Sequence, residues 1–301
     1  MFIVNFNGGI GNQMFQYSLY KAMVIKYPNV NIKMLISCFN HNGFELERVF
    51  DVERNECSSQ EAAYLGEYIS SDIKYSKVFN KLNYWRRLLF GYKNSYILQD
   101  NSASFYKEVF QLSPLNSYVL EGYWQNVQYF EDIQNEIIRD FQFALPLSDK
   151  NLDYQNIIQS TNSVSIHVRR GDYLKVGFPV LSLEYYKDAI KIIEERVDNP
   201  VYFIFSDDPE FIEENFKFLS NYKIINFNSG NSSYIDMQLM SMCKHNIIAN
   251  STFSFWGAFL NNNSKKVVVS PDKIIKQQHK NSFGCKDWIK LEIEKYSIHT
   301  K

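Results

Sequence analysis

The sequence predicts an α/β protein built as two doubly wound domains facing across a cleft. Two observations predict it. Short apolar strands alternate with segments of helical period in both halves of the chain, which implies parallel sheets covered on both faces. The 301 residues suffice for two domains on the usual size prior, and ALPLSDK, residues 144–150, reads as a linker. The expected division is 1–149 and 150–301, with the last helix either in the second domain or packed back on the first.

The first half opens with the strand MFIVNF, a glycine turn GGIGNQ and the helix MFQYSLYKAMVIKY, whose apolar residues recur at helical spacing. Pro28 and Asn29 stop it, and VNIKMLIS reads as a second strand. Residues 43–115 are aromatic and polar with only short helical patterns, such as SSQEAAYLGEYI. SYVLEGYWQN reads as a strand running into a loop, and VQYFEDIQNEIIRDF as a helix.

The second half is more regular. Strand SVSIHV leads through a charged loop to the helix SLEYYKDAIKIIEERV, ended by Asn199-Pro200. Strand VYFIFS precedes DDPEFIEENF, where Asp207 or Asp208 caps a helix with Pro209 in its first turn. Strand YKIINF, helix SSYIDMQLMSMC, strand HNIIAN, helix STFSFWGAFLN and strand KKVVVSP follow.

Composition narrows the function. Hydrophobic residues make up 45% and charged residues 22%, a globular balance, and the aromatic share is high at 16%. Lys plus Arg is 32 and Asp plus Glu 33, so a general attraction to nucleic acid is excluded and any anion site must be local. Cys38, Cys57, Cys243 and Cys285 lack metal-ligand spacing and read as thiols in a reducing compartment. The N-terminus has no signal-peptide pattern, and no stretch approaches ~18 consecutive apolar residues. A cytoplasmic protein is expected.

In doubly wound sheets ligands sit beyond the carboxyl ends of the strands. Four polar loops fall there: GGIGNQ, HVRRGD at 167–172, SDD at 206–208 and NSTFS at 250–254, which suggests one site. Gly8, Gly9 and Gly11 permit close backbone approach at a helix N-terminus, although GGxG alone also fits a simple tight turn. The Asn12-Gln13 amides can hydrogen-bond a sugar.

Arg169 and Arg170 carry the strongest signal, because guanidinium forks match phosphate oxygens and stabilise a diphosphate leaving group. An ordinary ion pair with Asp172 is the alternative. His167 either sits satisfied in the core or bonds a base or ribose. Asp207-Asp208 fits either a divalent metal or a helix cap. NSTFS suits a phosphate at a helix start.

GGIGNQMFQYSLYKA, EGYWQNVQYF, HVRRGDY, FIFSDDPEF, SYIDMQLMSMCKHNIIANSTFSFWGAFLN and VVVSP, in this order, resemble the bacterial α-1,2-fucosyltransferases of glycosyltransferase family 11. The resemblance covers essentially the whole chain and is weakest over 52–115. It implies two Rossmann-like domains of the GT-B type. It also implies inverting transfer of L-fucose from GDP-fucose to the 2-hydroxyl of a terminal β-galactose, with no cofactor or essential metal.

Residue by residue, the resemblance places Arg169 on the donor diphosphate and His167 and Asp236 on guanosine. It places Ser251, Thr252 and Ser254 on phosphate, and Gly11, Arg170, Asp207 and Asp208 also around the donor. Asn12 faces the donor sugar, and Tyr123, Trp124 and Gln125 lie on the acceptor side, with core packing the alternative for the aromatics. Asp172 is the nearest acidic group for deprotonating the acceptor, or else it orients Arg170 or His167. Arg170 is expected to bind Asp172 or brace its loop.

A bacterial surface polysaccharide such as O-antigen is the expected product. A metal-dependent sugar-nucleotide transferase and a non-catalytic nucleotide- or glycan-binding module are the alternatives. The basic aromatic run YWRRLLFGYK, 84–93, either leans on the inner membrane face, where a lipid-linked acceptor would sit, or is an exposed helix.

Overall fold

A computed structural model of the chain describes residues 1–38, 42–58, 61, 94–99, 104–274 and 283–298. Most of SSQEAAYLGEYI and all of YWRRLLFGYK lie outside the described residues. The chain forms two compact units, Met1–Asp140 and Phe141–Lys301.

The first unit holds β1 (Phe2–Phe6), α1 (Ile10–Lys26), β2 (Ile32–Ile36), α2 (Leu46–Phe50), β3 (Asn94–Leu98), β4 (Ser117–Glu121) and α3 (Gln134–Asp140). Among the described residues its four strands are all parallel, in the order β2-β1-β4-β3. Every residue of β1 is buried, as a central strand covered on both faces must be. The helix expected over 127–141 is broken. Two 3-10 turns, Val127–Tyr129 and Glu131–Ile133, precede α3, and the Asn126 side chain caps the first by accepting from the Gln128 N–H.

The second unit holds α4 (Asp149–Ser160), β5 (Asn162–Val168), α5 (Gly171–Val176), β6 (Val180–Leu181), α6 (Leu183–Glu194), β7 (Pro200–Ser206), α7 (Pro209–Asn215) and β8 (Tyr222–Ile225). These are followed by α8 (Tyr234–Met242), β9 (His245–Ile247), α9 (Thr252–Phe259), β10 (Val268–Pro271), β11 (Ile289–Leu291), α10 (Ile293–Tyr296) and β12 (Ser297–Ile298). Six parallel strands run in the order β11-β10-β9-β5-β7-β8. This is the Rossmann strand order.

The alternation in β5 explains the double winding. Val164, Ile166 and Val168 pack with Tyr185, Tyr186, Ala189, Ile190 and Ile193 of α6 on one face. Residues facing the other way from β7, Phe203 and Phe205, pack with Ile158 of α4 and Leu239 and Met240 of α8.

The division falls at 140/141 rather than 149/150, because Phe141 packs edge-on against Trp256 and Leu147 enters the second core. The last helix, α10, belongs to the second unit: Ile293 and Tyr296 lie in the core beside α6. The charged segment expected as a loop after β5 contains α5, which ends at Gly177 in the left-handed region.

Candidate active site

The strand order fixes where a ligand can sit. From β5 the chain winds outward through β7 and β8, then returns to β9 on the other side of β5. Beyond the carboxyl ends of β5 and β9 lies the topological switch point, where open α/β sheets bind ligands. HVRRGD follows β5 and NSTFS follows β9, so the sheet brings together segments about 80 residues apart in sequence.

Tyr173, in the first turn of α5, ties them. Its hydroxyl donates to the Asn250 carbonyl at 3.0 Å, and its ring lies 5.6 Å from the Arg169 guanidinium. Asn250 is fully buried and donates to the carbonyls of Pro179 and Ile274, which anchors the second loop.

The two arginines have different surroundings. Arg169 Nη2 donates to Asp172 Oδ2 at 2.7 Å, and its Nε lies 3.2 Å from Asp207 Oδ2. Among the described residues no carboxylate engages its Nη1 edge. Arg170 stacks over Phe211 at 3.6 Å, donates to Asp208 Oδ2 at 3.0 Å, and is more buried than Arg169. The Asp172 partner expected for Arg170 therefore belongs to Arg169, and Arg170 braces the loop through Asp208.

Asp207 and Asp208 are committed to local structure. Asp207 Oδ1 accepts from the backbone N–H groups of Arg170 and Gly171, at 2.9 and 3.1 Å. Asp208 Oδ1 caps α7 by accepting from the Phe211 N–H. Two guanidiniums thus face three carboxylates, so the loop is not a bulk positive patch. Any anion selectivity here comes from donor geometry. The start of α9 adds to that geometry, because its first N–H groups have no intrahelical acceptor and Ser251, the N-cap, makes no side-chain cap bond.

Two groups near this end have strongly shifted protonation. His167 is buried, and burial together with the Arg169 charge pushes its pKa down to about 3. It is therefore neutral, and its buried Nδ1 has no hydrogen-bond partner among the described residues. Asp236, on the first turn of α8, is pushed up to about 7 by burial, against the lowering effect of a 2.7 Å hydrogen bond from Asn228 Nδ2. Asn228 is held in turn by reciprocal bonds with Asn151, both 3.0 Å.

Ser254 departs from the expectation that it faces phosphate. Its side chain is fully buried, and its hydroxyl donates to the Ser251 carbonyl at 3.3 Å within the helix. Ser251 and Thr252 are left at the helix mouth.

In the first unit the strand order reverses between β1 and β4, and the loops after these strands carry the other expected residues. Gly8 has φ +76, a conformation that strains any other residue, and a Cβ there would lie 2.6 Å from Asn12 Nδ2 and push that amide aside. Asn12 and Gly11 lie in the first turn of α1, and Asn12 Oδ1 accepts from Gln125 Nε2 at 3.0 Å.

Gln13 is not the sugar ligand expected. It is fully buried, donates to the Gly8 and Gly43 carbonyls, and accepts from the Glu45 N–H. Of the expected aromatic pair, Tyr123 is 45% exposed and Trp124 is fully buried against Tyr129, so only Tyr123 can offer a surface platform.

Sequence reasoning missed Tyr173, Asn228 and Asn151. Tyr173 was readable as part of the HVRRGDY run, but its bond to Asn250 depends on β5 and β9 being neighbours. Nothing local marks Asn151, which meets Asn228 across the fold.

Among the described residues no group of three or more His, Cys, Asp or Glu side chains is placed to hold a metal, and no helix is long and apolar enough to cross a membrane. The cysteines are unpaired thiols, with Cys38, Cys57 and Cys243 buried.

Comparison with known proteins adds an independent line. The family model "Glycosyl transferase family 11" matches residues 68–292. The chain is 32% identical to the O-antigen biosynthesis glycosyltransferase WbnK of Escherichia coli, over 95% of this chain and 98% of that protein. It is 30% identical to an Escherichia coli alpha-1,2-colitosyltransferase, over 95% and 97%. A shorter match, 26% identical over 47% of this chain and 45% of the relative, is to galactoside alpha-(1,2)-fucosyltransferase 2 of Sus scrofa. Among solved structures, the fucosyltransferase NodZ from Bradyrhizobium aligns with a TM-score of 0.48 at 13% identity, over 85% of this chain and 91% of that one. The family match spans most of the chain and the bacterial relatives span nearly all of it, so the chain belongs to glycosyltransferase family 11.

Proposed function

We propose that the protein transfers L-fucose from GDP-fucose to the 2-hydroxyl of a terminal β-galactose, with inversion, in the assembly of a bacterial surface polysaccharide such as O-antigen. The observation that carries the reading is the convergence at the switch point of the second unit. A guanidinium with an unclaimed edge, a helix N-terminus and a neutral buried histidine meet there around one sheet end.

In this reading Arg169 donates to the diphosphate as its oxygen takes up charge. Asp172 and Asp207 hold its fork rigid, so little reorganisation is needed during bond breaking. The N–H groups at the start of α9, with Ser251 and Thr252, take the second phosphate. Neutral His167 serves as a hydrogen-bonding group for the nucleoside without adding charge. Asp236, ionised when bound, accepts from the N1–H and amino group of guanine. Asn12 faces the donor sugar, and Tyr123 and Gln125 bind the acceptor.

Inversion requires a single displacement at C1. The acceptor oxygen forms its bond as the C1–O bond to phosphate breaks, the pair of electrons leaves on GDP, and the hydroxyl proton passes to a base. Asp172 is assigned that role as the acidic group beside Arg169 whose side chain is partly exposed. The bonds already made by Asp207 and Asp208 support a reaction without an essential metal, since both carboxylates brace the arginine loop.

The similarity to a colitosyltransferase favours a second reading with the same reaction and a different sugar. Colitose is fucose without its 3-hydroxyl. A GDP-release assay with GDP-fucose and GDP-colitose, with and without a β-galactoside and in EDTA, separates the readings. Acceptor-dependent release from GDP-fucose supports the proposal. Release from GDP-colitose alone replaces it.

A further inference from the structure

We infer that Gln99, which follows β3, is a positioning residue that sets the turn Gly122–Gln125 and thereby the binding of the glycan acceptor. The inference rests on the reading of Tyr123 and Gln125 as acceptor-side residues.

Gln99 extends the β3–β4 pairing by donating its N–H to the Glu121 carbonyl at 2.9 Å. Its side chain then turns onto the following loop. Oε1 accepts from the Trp124 N–H at 2.6 Å, and Nε2 donates to the Tyr129 hydroxyl at 3.2 Å. Tyr129 is itself fixed, donating to the Ser104 carbonyl at 3.1 Å and accepting from the Tyr106 N–H at 2.8 Å. From the other side, Gln16 of α1 donates to the Gly122 carbonyl at 3.0 Å. The turn is clamped between two glutamines.

Its conformation needs such a clamp. Trp124 has φ +55, a left-handed conformation that costs a bulky side chain free energy. Its indole is fully buried, and its Nε1 has no hydrogen-bond partner among the described residues. Gly122 has φ +156, and a Cβ there would fall 2.6 Å from Gln99 Cβ and 3.0 Å from Oε1. Gly122 and Gln99 are therefore fitted to each other.

A turn that buries Trp124 so completely also directs its neighbours. Tyr123 is turned outward, and Gln125 reaches Asn12 Oδ1 at 3.0 Å. Among the described residues Gln99 makes no hydrogen bond to the Tyr123 or Gln125 side chain. It acts through the backbone of the turn, so its loss should displace the acceptor platform while sparing the binding of GDP, whose proposed ligands Arg169, His167, Asp236 and the start of α9 all lie in the second unit.

The test uses the full chain with Gln99→Leu and Gln99→Glu. Glutamate keeps an oxygen for the Trp124 N–H, whereas leucine fills similar space without one. Three quantities are measured: acceptor KM with a β-galactoside, GDP affinity, and galactoside binding by ligand-observed NMR. Gln99→Leu is expected to raise acceptor KM by ~10-fold or more and to weaken galactoside binding in parallel, with GDP affinity within about twofold of wild type. Gln99→Glu is expected to restore most of the loss, which a general destabilisation would not do.

An unchanged acceptor KM in folded Gln99→Leu overturns the inference. So does an equal fall in GDP affinity, or a Gln99→Glu variant no better than Gln99→Leu. Should the wild type use another donor sugar, the NMR comparison still decides the role of Gln99, because galactoside binding is read without turnover. A wild type that binds no galactoside removes the acceptor reading and this inference with it.

Discussion

The hydroxyl of Tyr173 and the carbonyl of Asn250 are 3.0 Å apart, and this bond joins the arginine loop after β5 to the serine–threonine loop after β9. If those loops form one diphosphate site, the bond matters for binding as well as stability. Tyr173→Phe removes it and keeps the ring beside Arg169. The variant should lose ~1 kcal/mol of stability, the usual net value of one hydrogen bond, seen as a modest fall in Tm. It should also bind GDP several-fold more weakly. A Tyr173→Phe variant with lowered Tm and wild-type GDP affinity would show that the loops are joined only structurally.

Arg169 and Arg170 should separate cleanly. Arg169→Lys keeps the charge and loses the planar fork held between Asp172 and Asp207. Its kcat should fall by ~10²–10³, the range for loss of one preorganised donor, with folding intact. Arg170→Lys loses the stacking on Phe211 and the planar fork that meets Asp208. It should lower Tm and leave kcat within roughly tenfold. Near-wild-type turnover in Arg169→Lys contradicts the assignment.

The aspartates after β7 give a metal test. Asp207→Ala strands two backbone N–H groups, those of Arg170 and Gly171, and releases one side of the Arg169 fork. It should impair both stability and turnover, and added Mn²⁺ should restore neither. Asp208→Asn can still cap α7, so its loss should be smaller. Rescue of either variant by a divalent ion, or a wild type silenced by EDTA, would overturn the metal-independent reading.

Much of this was legible in the sequence, and the reasons are physical. The strict apolar alternation of Val164, Ile166 and Val168 marked β5, and the Asp207-Asp208-Pro209 run marked the cap of α7. Both are local signals. For Arg170 the sequence left a bond to Asp172 and a bracing of the loop as alternatives; local pattern could not choose, because the backbone leaves the strand after Val168 and enters α5, and the Asp208 that holds Arg170 lies 38 residues on. For Trp124 the sequence left an acceptor platform and core packing as alternatives, and the Gln13 amide was taken as able to bond a sugar. Their burial follows from contacts to Gln99, Tyr129, Gly43 and Glu45 that no local pattern encodes. The helix α4 was overlooked because its one fully buried position, Ile158, leaves too weak a period to see.

Asp236 predicts a pH dependence with a definite sign. Its pKa is raised from 3.8 to about 7, so the folded chain holds this proton more tightly than the unfolded chain. Its contribution to stability is therefore largest at low pH and falls as pH rises through about 7. Asp236→Asn should gain stability relative to wild type across that interval. Guanine's N–H groups favour the ionised carboxylate, so GDP binding by the wild type should weaken as pH drops below about 7. Binding by Asp236→Asn should be weaker and flat. Wild-type GDP affinity that is constant from roughly pH 6 to 8 would remove Asp236 from the base pocket.

The most direct test is NMR analysis of the product formed from GDP-fucose and a terminal β-galactoside by the purified chain. The account predicts a single new α-fucosyl anomeric signal, with a through-bond correlation to C2 of galactose and release of one GDP per fucose transferred. A β anomer, a linkage to another galactose hydroxyl, or no product from GDP-fucose alongside turnover of a different sugar nucleotide would contradict it.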